Sequence, residues 1–224
     1  MPCLAVQLPG HDLLRDVPGE YSIERCARDV GTIIRELGLD KTVIVGHSMG
    51  ARISLELCAT QAELVQGLIL VDGSCVPGDP GQIQQDILAS VESNGKRNWI
   101  EAVYTTMMLD SLPASVRRKL IARALQISVP AIIDYMASMG AWDKARFEDA
   151  IKVTTAPITV LQSTSLDDNE VRRSIQVQPK SRWRDGIEAN RPDAAFHEVH
   201  DAGHFLMLER PEVVVDAILN MVSN

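Results

Sequence analysis

The 224-residue chain carries 30 acidic against 22 basic side chains, a net charge of −8, and is 46% hydrophobic and 23% charged. Those fractions belong to a globular protein with one substantial core, and they exclude both a disordered polymer and two full-sized domains. The acidic balance and the lack of a basic stripe argue against binding along a phosphate backbone, so no nucleic-acid partner is expected.

The opening "MPCLAVQLPG" has no charged leader and turns polar too soon for a secretory signal. No apolar run approaches the roughly 20 residues needed to span a bilayer. "CLAVQL" predicts a short buried strand ending at Pro9-Gly10. Ser22 then predicts an N-cap, and Ile23, Cys26, Ala27, Val30, Ile33, Ile34 and Leu37 recur at helical steps up to Gly38. "TVIVG" is the next buried strand, with a helix from about Ala51. "GLILVDG" and "APITVLQ" predict a third and a fourth strand, and "AAFHEVH" a fifth, whose alternation suits a sheet edge. The tail "RPEVVVDAILNMV" predicts a last helix with Pro211 near its first turn.

Continuous apolar strands alternating with helices predict an α/β fold, a mostly parallel sheet with helices on both faces. From Cys75 to about Thr155 only helical patterns appear, such as "GQIQQDILASV", "NWIEAVYTTMML", "ASVRRKLIARAL" and "AIIDYMASM". The expected organisation is a core of residues 1–74 and 155–224, with a helical cap over 75–154 inserted between strands. Cys3, Cys26, Cys58 and Cys75 are scattered without zinc-ligand spacing, and Cys26 and Cys58 fall on apolar helix faces. Reduced, packed thiols and a cytoplasmic location are the expectation.

The chemistry centres on "TVIVGHSMGAR", a Gly-x-Ser-x-Gly between a buried strand and a helix. Such a turn lifts the Ser48 hydroxyl above the sheet, and small neighbours at Gly46 and Gly50 keep it clear of strand and helix. The Met49 backbone N–H points to where an oxyanion would form, aided by the helix N-terminus. A serine hydroxyl needs a base. Of the five histidines, His47 lies beside the serine, His11 on an early loop, and His197 and His200 with the fifth strand. His204, in the loop "DAGHF" before the last helix, is the expected base. A carboxylate must orient it. Asp167, just past the fourth strand, is the first choice and Asp72, ending the third, the alternative. Asp168 and Glu170 read as solvated charges and Asp201 as a turn residue.

Taken together, "QLPGHD", "VGHSMGAR", "GLILVDG" and "VHDAGHFLMLERPEVVVDAIL" resemble the alpha/beta-hydrolase superfamily, in its cap-bearing, esterase-like branch. The resemblance implies hydrolysis of esters or related acyl compounds through an acyl-enzyme, without metal or cofactor. Carbon–carbon bond hydrolases, lactonases and cofactor-free peroxidases of that fold use much the same residues. Family members carry three further strands before "CLAVQLPGHD", the last followed by a His-Gly loop that supplies a second oxyanion donor. The missing strand would lie between those matching "CLAVQL" and "TVIVG", which implies an N-terminally truncated product, uncovered strand edges and possible association between copies. A hydrolase-like binding module without useful turnover is the rival reading. In the cap, Trp99, Tyr104, Met107, Met108, Tyr135, Met136, Met139 and Trp142 either line a pocket for a small apolar ester-like substrate or pack the helices together. Arg52, beside the elbow, reads as a salt-bridge residue rather than a substrate contact.

Overall fold

The computed structural model describes residues 2–11, 21–108, 112–166, 172–175 and 181–223. Its strands are β1 (Thr42–His47), β2 (Val65–Val71), β3 (Ile158–Gln162), β4 (Thr164–Leu166), β5 (Arg172–Ser174) and β6 (Ala195–Glu198). Its helices are α1 (Ile23–Glu36), α2 (Met49–Thr60), α3 (Pro80–Asn94), α4 (Lys96–Met107), α5 (Ala114–Ala124), α6 (Val129–Ala145), α7 (Phe147–Val153), α8 (Arg182–Asn190), α9 (Leu206–Glu209) and α10 (Pro211–Ser223).

A fully parallel sheet in the order β1-β2-β3-β6 forms the centre. β2 is apolar along nearly its whole length because both of its faces are covered. Leu68 and Leu70 pack into one cluster with residues of α1, α2, α7 and α8, while Ile69 and Val71 pack into another with Leu161, Leu206 and Val214. α1 starts where expected, with Ser22 Oγ accepting the Arg25 N–H at 3.2 Å, and it is followed by Gly38 at φ 63°. Cys26 and Cys58 are buried thiols.

The first expected strand is absent. Residues 2–8 have no ladder partner, and Leu4 and Val6 stand 59% and 37% exposed. An apolar alternation makes a strand only if a neighbour satisfies its N–H and C=O groups. Here β1 pairs with β2 alone among the described residues, so it forms a sheet edge and does not close onto "CLAVQL".

Between β2 and β3 the described chain is helical, from α3 to α7. α7 turns its Phe147, Ala150 and Ile151 into the main core beside α8. Buried polar bonds tie α2 to α6 and the residue after it. Arg52 donates to both carboxylate oxygens of Asp143 at 2.8 and 2.6 Å, and Glu56 accepts from Trp142 Nε1 at 2.8 Å and from Arg146. Asp143 also accepts the Val76 N–H at 2.7 Å, which pins the chain leaving β2. No single helix among the described residues is long and apolar enough to cross a membrane.

Candidate active site

β1 ends at His47, α2 begins at Met49, and Ser48 makes the whole turn at φ 55°, ψ −113°. This strained geometry is held from both sides: the Ser48 N–H donates to Val71 O on β2, and Ser48 O accepts from Ala51 N, each at 3.0 Å. The two glycines of the motif differ in role. A Cβ at Gly46 would lie 2.3 Å from both Gly50 O and Ser54 Oγ, so only glycine fits there. At Gly50 an added Cβ would meet nothing within 4 Å, because that position faces a cavity rather than the adjoining strand. The expectation that both positions must be small therefore holds at Gly46 alone.

His204 follows β6, and its N–H donates to Met107 O at the end of α4 at 3.0 Å. Its ring is buried, and Nδ1–H donates to Asp72 Oδ2 at 2.6 Å. That bond fixes the tautomer and leaves Nε2 as an unprotonated acceptor. Asp72 lies just past β2, fully buried at φ 47°. Its Oδ1 accepts from Ser163 N (2.9 Å), Ser163 Oγ (3.1 Å), Thr164 N (2.7 Å) and Gln162 Nε2 (3.2 Å). Its Oδ2 accepts, besides His204, from Thr164 Oγ1 (2.6 Å) and Arg172 (3.0 Å). Asp167, with Asp168 and Glu170, lies outside the described residues. The carboxylate that meets His204 among the described residues is the one at Asp72.

Electrostatics follow from this packing. Burial pushes the Asp72 carboxyl upward, but the His204 hydrogen bond, the His204 and Arg172 charges and the Thr164 hydroxyl together hold it below its ordinary value. Burial lowers His204, the Asp72 bond opposes that, and the Arg172 charge adds to the lowering. At neutral pH the pair is carboxylate and neutral imidazole. His47 backs this ring: its Nε2–H donates to His204 O at 2.8 Å and the two rings lie 4.5 Å apart. Burial, then the His204 charge, takes His47 down to about 3, so it stays neutral.

Ser48, Met49 and His204 share the wall of one cavity of about 350 Å³. Its other walls include Trp99, Ile100, Tyr104, Met107, Ile127, Ile132, Tyr135, Met136, Met139 and Phe205, with Leu8 and His11 from the N-terminal segment. Six of the eight large cap residues singled out in the sequence are thus cavity-lining. Trp142 instead packs against Phe147 in the core, and Met108 is not on the wall. Ser48 Oγ makes no capping hydrogen bond to α2. Met49, first residue of α2, has a backbone N–H of the kind a helix start leaves unused. His197 is exposed on β6, and His200 donates to Ile175 O, so neither belongs to this site. Arg52 is sequestered with Asp143. Among the described residues no group of His, Cys, Asp or Glu could hold a metal ion.

Residues 2–217 match the model of the Alpha/beta hydrolase family. The chain belongs to that family. An esterase from Exiguobacterium antarcticum superposes with a TM-score of 0.77 at 15% identity, over 97% of this chain and 80% of that one, a likeness of fold. The sn-1-specific diacylglycerol lipase ABHD11 of Mus musculus is 23% identical over 217 residues, 91% of this chain and 66% of its own length. A Haemophilus influenzae protein provisionally named an esterase/lipase is 23% identical over 211 residues, which cover 88% of this chain. The chain spans 66% of that relative's length as well.

Sequence reasoning missed Arg172, Ser163 and Thr164 as carboxylate partners, and the ring contact of His47. The one available signal was position: "VLQST" ends a strand beside "LILVD", so its backbone donors arrive where that aspartate emerges.

Proposed function

We propose that this alpha/beta hydrolase is a serine hydrolase of carboxylic esters, with Ser48 as nucleophile, His204 as base and Asp72 as the orienting acid. The observation that carries it is the 2.6 Å bond from His204 Nδ1 to Asp72 Oδ2 in a ring that shares a cavity with Ser48. As Ser48 Oγ attacks the ester carbonyl carbon, its proton passes to His204 Nε2, and the imidazolium is steadied by Asp72. The carbonyl oxygen takes the electron pair and is met by the Met49 N–H and the start of α2. When the tetrahedral intermediate collapses, the imidazolium gives its proton to the departing alkoxide, leaving an acyl-Ser48. A water attacks that ester with His204 again accepting the proton; the bond from the acyl carbon to Ser48 Oγ then breaks, the imidazolium returns its proton to Oγ, and the acid product leaves. No step calls for a metal or cofactor.

Helices α3–α6 act as the cap, and the Trp99, Tyr104, Met107 and Met136 walls favour a small apolar acyl or aromatic group. The test is steady-state hydrolysis of p-nitrophenyl butyrate by the wild type and Ser48→Ala. Turnover abolished in the variant supports the reading. No turnover by folded wild type, with saturable ester binding, would favour the binding-module alternative.

A further inference from the structure

A second cavity, of about 410 Å³, shares none of the lining of the first, and Arg172, which pairs with Asp72, stands in its wall. Its walls include Arg172, Arg182, Ser165, Ser181, Trp183 and Gln162. Arg172 is the bridge between the two sites. Its side chain is 9% exposed, and one terminal nitrogen makes both of its hydrogen bonds, to Asp72 Oδ2 at 3.0 Å and Thr164 Oγ1 at 2.7 Å. Its Nε and other terminal nitrogen are left without acceptors among the described residues, at the cavity wall. A guanidinium offers five N–H donors, so most of this one's capacity is unused.

The facing wall is the start of α8. Ser181 Oγ accepts from Arg184 N, which leaves its hydroxyl hydrogen for another acceptor. The N–H groups of Arg182 and Trp183, first and second in the helix, have no acceptor within it. The exposed Arg182 guanidinium makes no ion pair with Asp185, Glu148 or Asp149, which line a neighbouring cavity on its other side. Buried Trp183 also has an indole Nε1–H without a partner. Arg172, Arg182, Ser181 and the first turn of α8 thus bring donors and positive charge to one cavity, and none of its lining residues among the described ones is acidic. Gln162 Oε1 is likewise buried without a partner among the described residues.

We propose that this second cavity binds a small oxyanion, a phosphate or carboxylate group, between Arg172, Arg182 and the first turn of α8. Phosphate and carboxylate suit guanidinium forks and helix starts alike. Because the anion would share Arg172 with Asp72, occupancy is communicated to His204. The charged and titratable groups around that imidazole are Asp72 at the end of β2, Arg172 on β5, His47 on β1 and Arg52 on α2. An anion on Arg172 offsets a positive charge that now disfavours protonated His204, so the imidazole holds its proton to higher pH.

The test uses the full chain, with inorganic phosphate and acetate as separate probes at constant ionic strength set by sodium chloride. Arg182→Gln is the comparison, since Arg182 is exposed and lies outside the hydrolytic machinery. A saturable rise in melting temperature with either probe in wild type, weakened at least tenfold in apparent affinity in the variant, supports the site. Tighter phosphate than acetate identifies a phosphate-bearing ligand, and the reverse a carboxylate. No saturable rise with either, or an equal rise in both proteins, overturns it. The coupling rests on the hydrolase reading. It requires the acid limb of kcat/KM to move to higher pH at saturating probe in wild type and not in the variant; a stationary limb overturns it. The melting measurement involves no turnover and stands apart from that reading.

Discussion

Replacing Asp72 by Asn removes one charge and exchanges one acceptor atom for a donor. The backbone is not disturbed, since asparagine tolerates the left-handed φ of 47° at this position. The amide oxygen will take the Oδ1 place, where four donors converge: Ser163 N, Ser163 Oγ, Thr164 N and Gln162 Nε2. The NH₂ group then faces three more donors, His204 Nδ1, Thr164 Oγ1 and Arg172. His204 must move its proton to Nε2, where it can no longer accept from Ser48, and a loss of about 10⁴ in kcat is expected. Arg172 is left buried with an unmatched charge, at a cost of about 3–5 kcal/mol. That is a large share of a typical stability of about 5–15 kcal/mol, so urea unfolding belongs beside the ester assay. If Asp72→Asn does not fold, adding Arg172→Met removes the stranded charge; stability should return in part and activity should not. Asp167→Asn, made in parallel, should stay within a few fold of wild type. Asp72→Asn retaining a tenth or more of the wild-type rate, with Asp167→Asn inactive, would refute the assignment.

Three further outcomes follow from the elbow. Gly46→Ala pushes a Cβ to 2.3 Å from Gly50 O and Ser54 Oγ, so a loss of about 1–3 kcal/mol in urea stability is expected, with at least about 100-fold in kcat/KM from a displaced hydroxyl. Ser48 stores backbone strain at φ 55°, ψ −113°. Ser48→Gly should therefore outlast Ser48→Ala in denaturant by about 1 kcal/mol, and the opposite order would deny the strain. His47 titrates at about 3 when folded, against an ordinary 6.5. A group so depressed stabilises the fold fully above pH 6.5 and loses that contribution as pH falls towards 3. The folded protein should lose about 1.4 kcal/mol per pH unit within that window on this account, and His47→Gln should flatten the slope by as much in urea titrations between pH 6 and 4.

Much of the architecture was legible because local patterns and sheet burial agreed. "GLILV" is apolar throughout, and β2 is indeed central, with Leu68 and Leu70 facing one cluster and Ile69 and Val71 the other. "CLAVQL" has an equally apolar composition yet forms no strand, since strand formation depends on a neighbour that no local pattern encodes. The helix α8 was invisible: four of the nine residues of Arg182–Asn190 are charged, and only Trp183 and Ile187, one turn apart, reach the core. Ser48 and His204 could be named because a strand–turn–helix motif and a loop before the last helix each have one suitable residue. The carboxylate could not be fixed, because Asp72 and Asp167 both follow sheet strands. What distinguishes Asp72 is its place in the sheet: β2 lies directly beside β1, and the Ser163 and Thr164 donors, just past β3 and at the start of β4, close around the carboxylate. That is a property of strand order, which reading along the chain does not reveal.

The central claim is that the Ser48 hydroxyl is made nucleophilic by His204. The most direct measurement is intact and peptide mass spectrometry after treatment with a fluorophosphonate. One adduct is expected, on the peptide carrying Ser48, absent in Ser48→Ala and formed at least 100-fold more slowly in His204→Ala. An adduct on another residue, none on folded wild type at high reagent concentration, or an unchanged rate without His204 would contradict it.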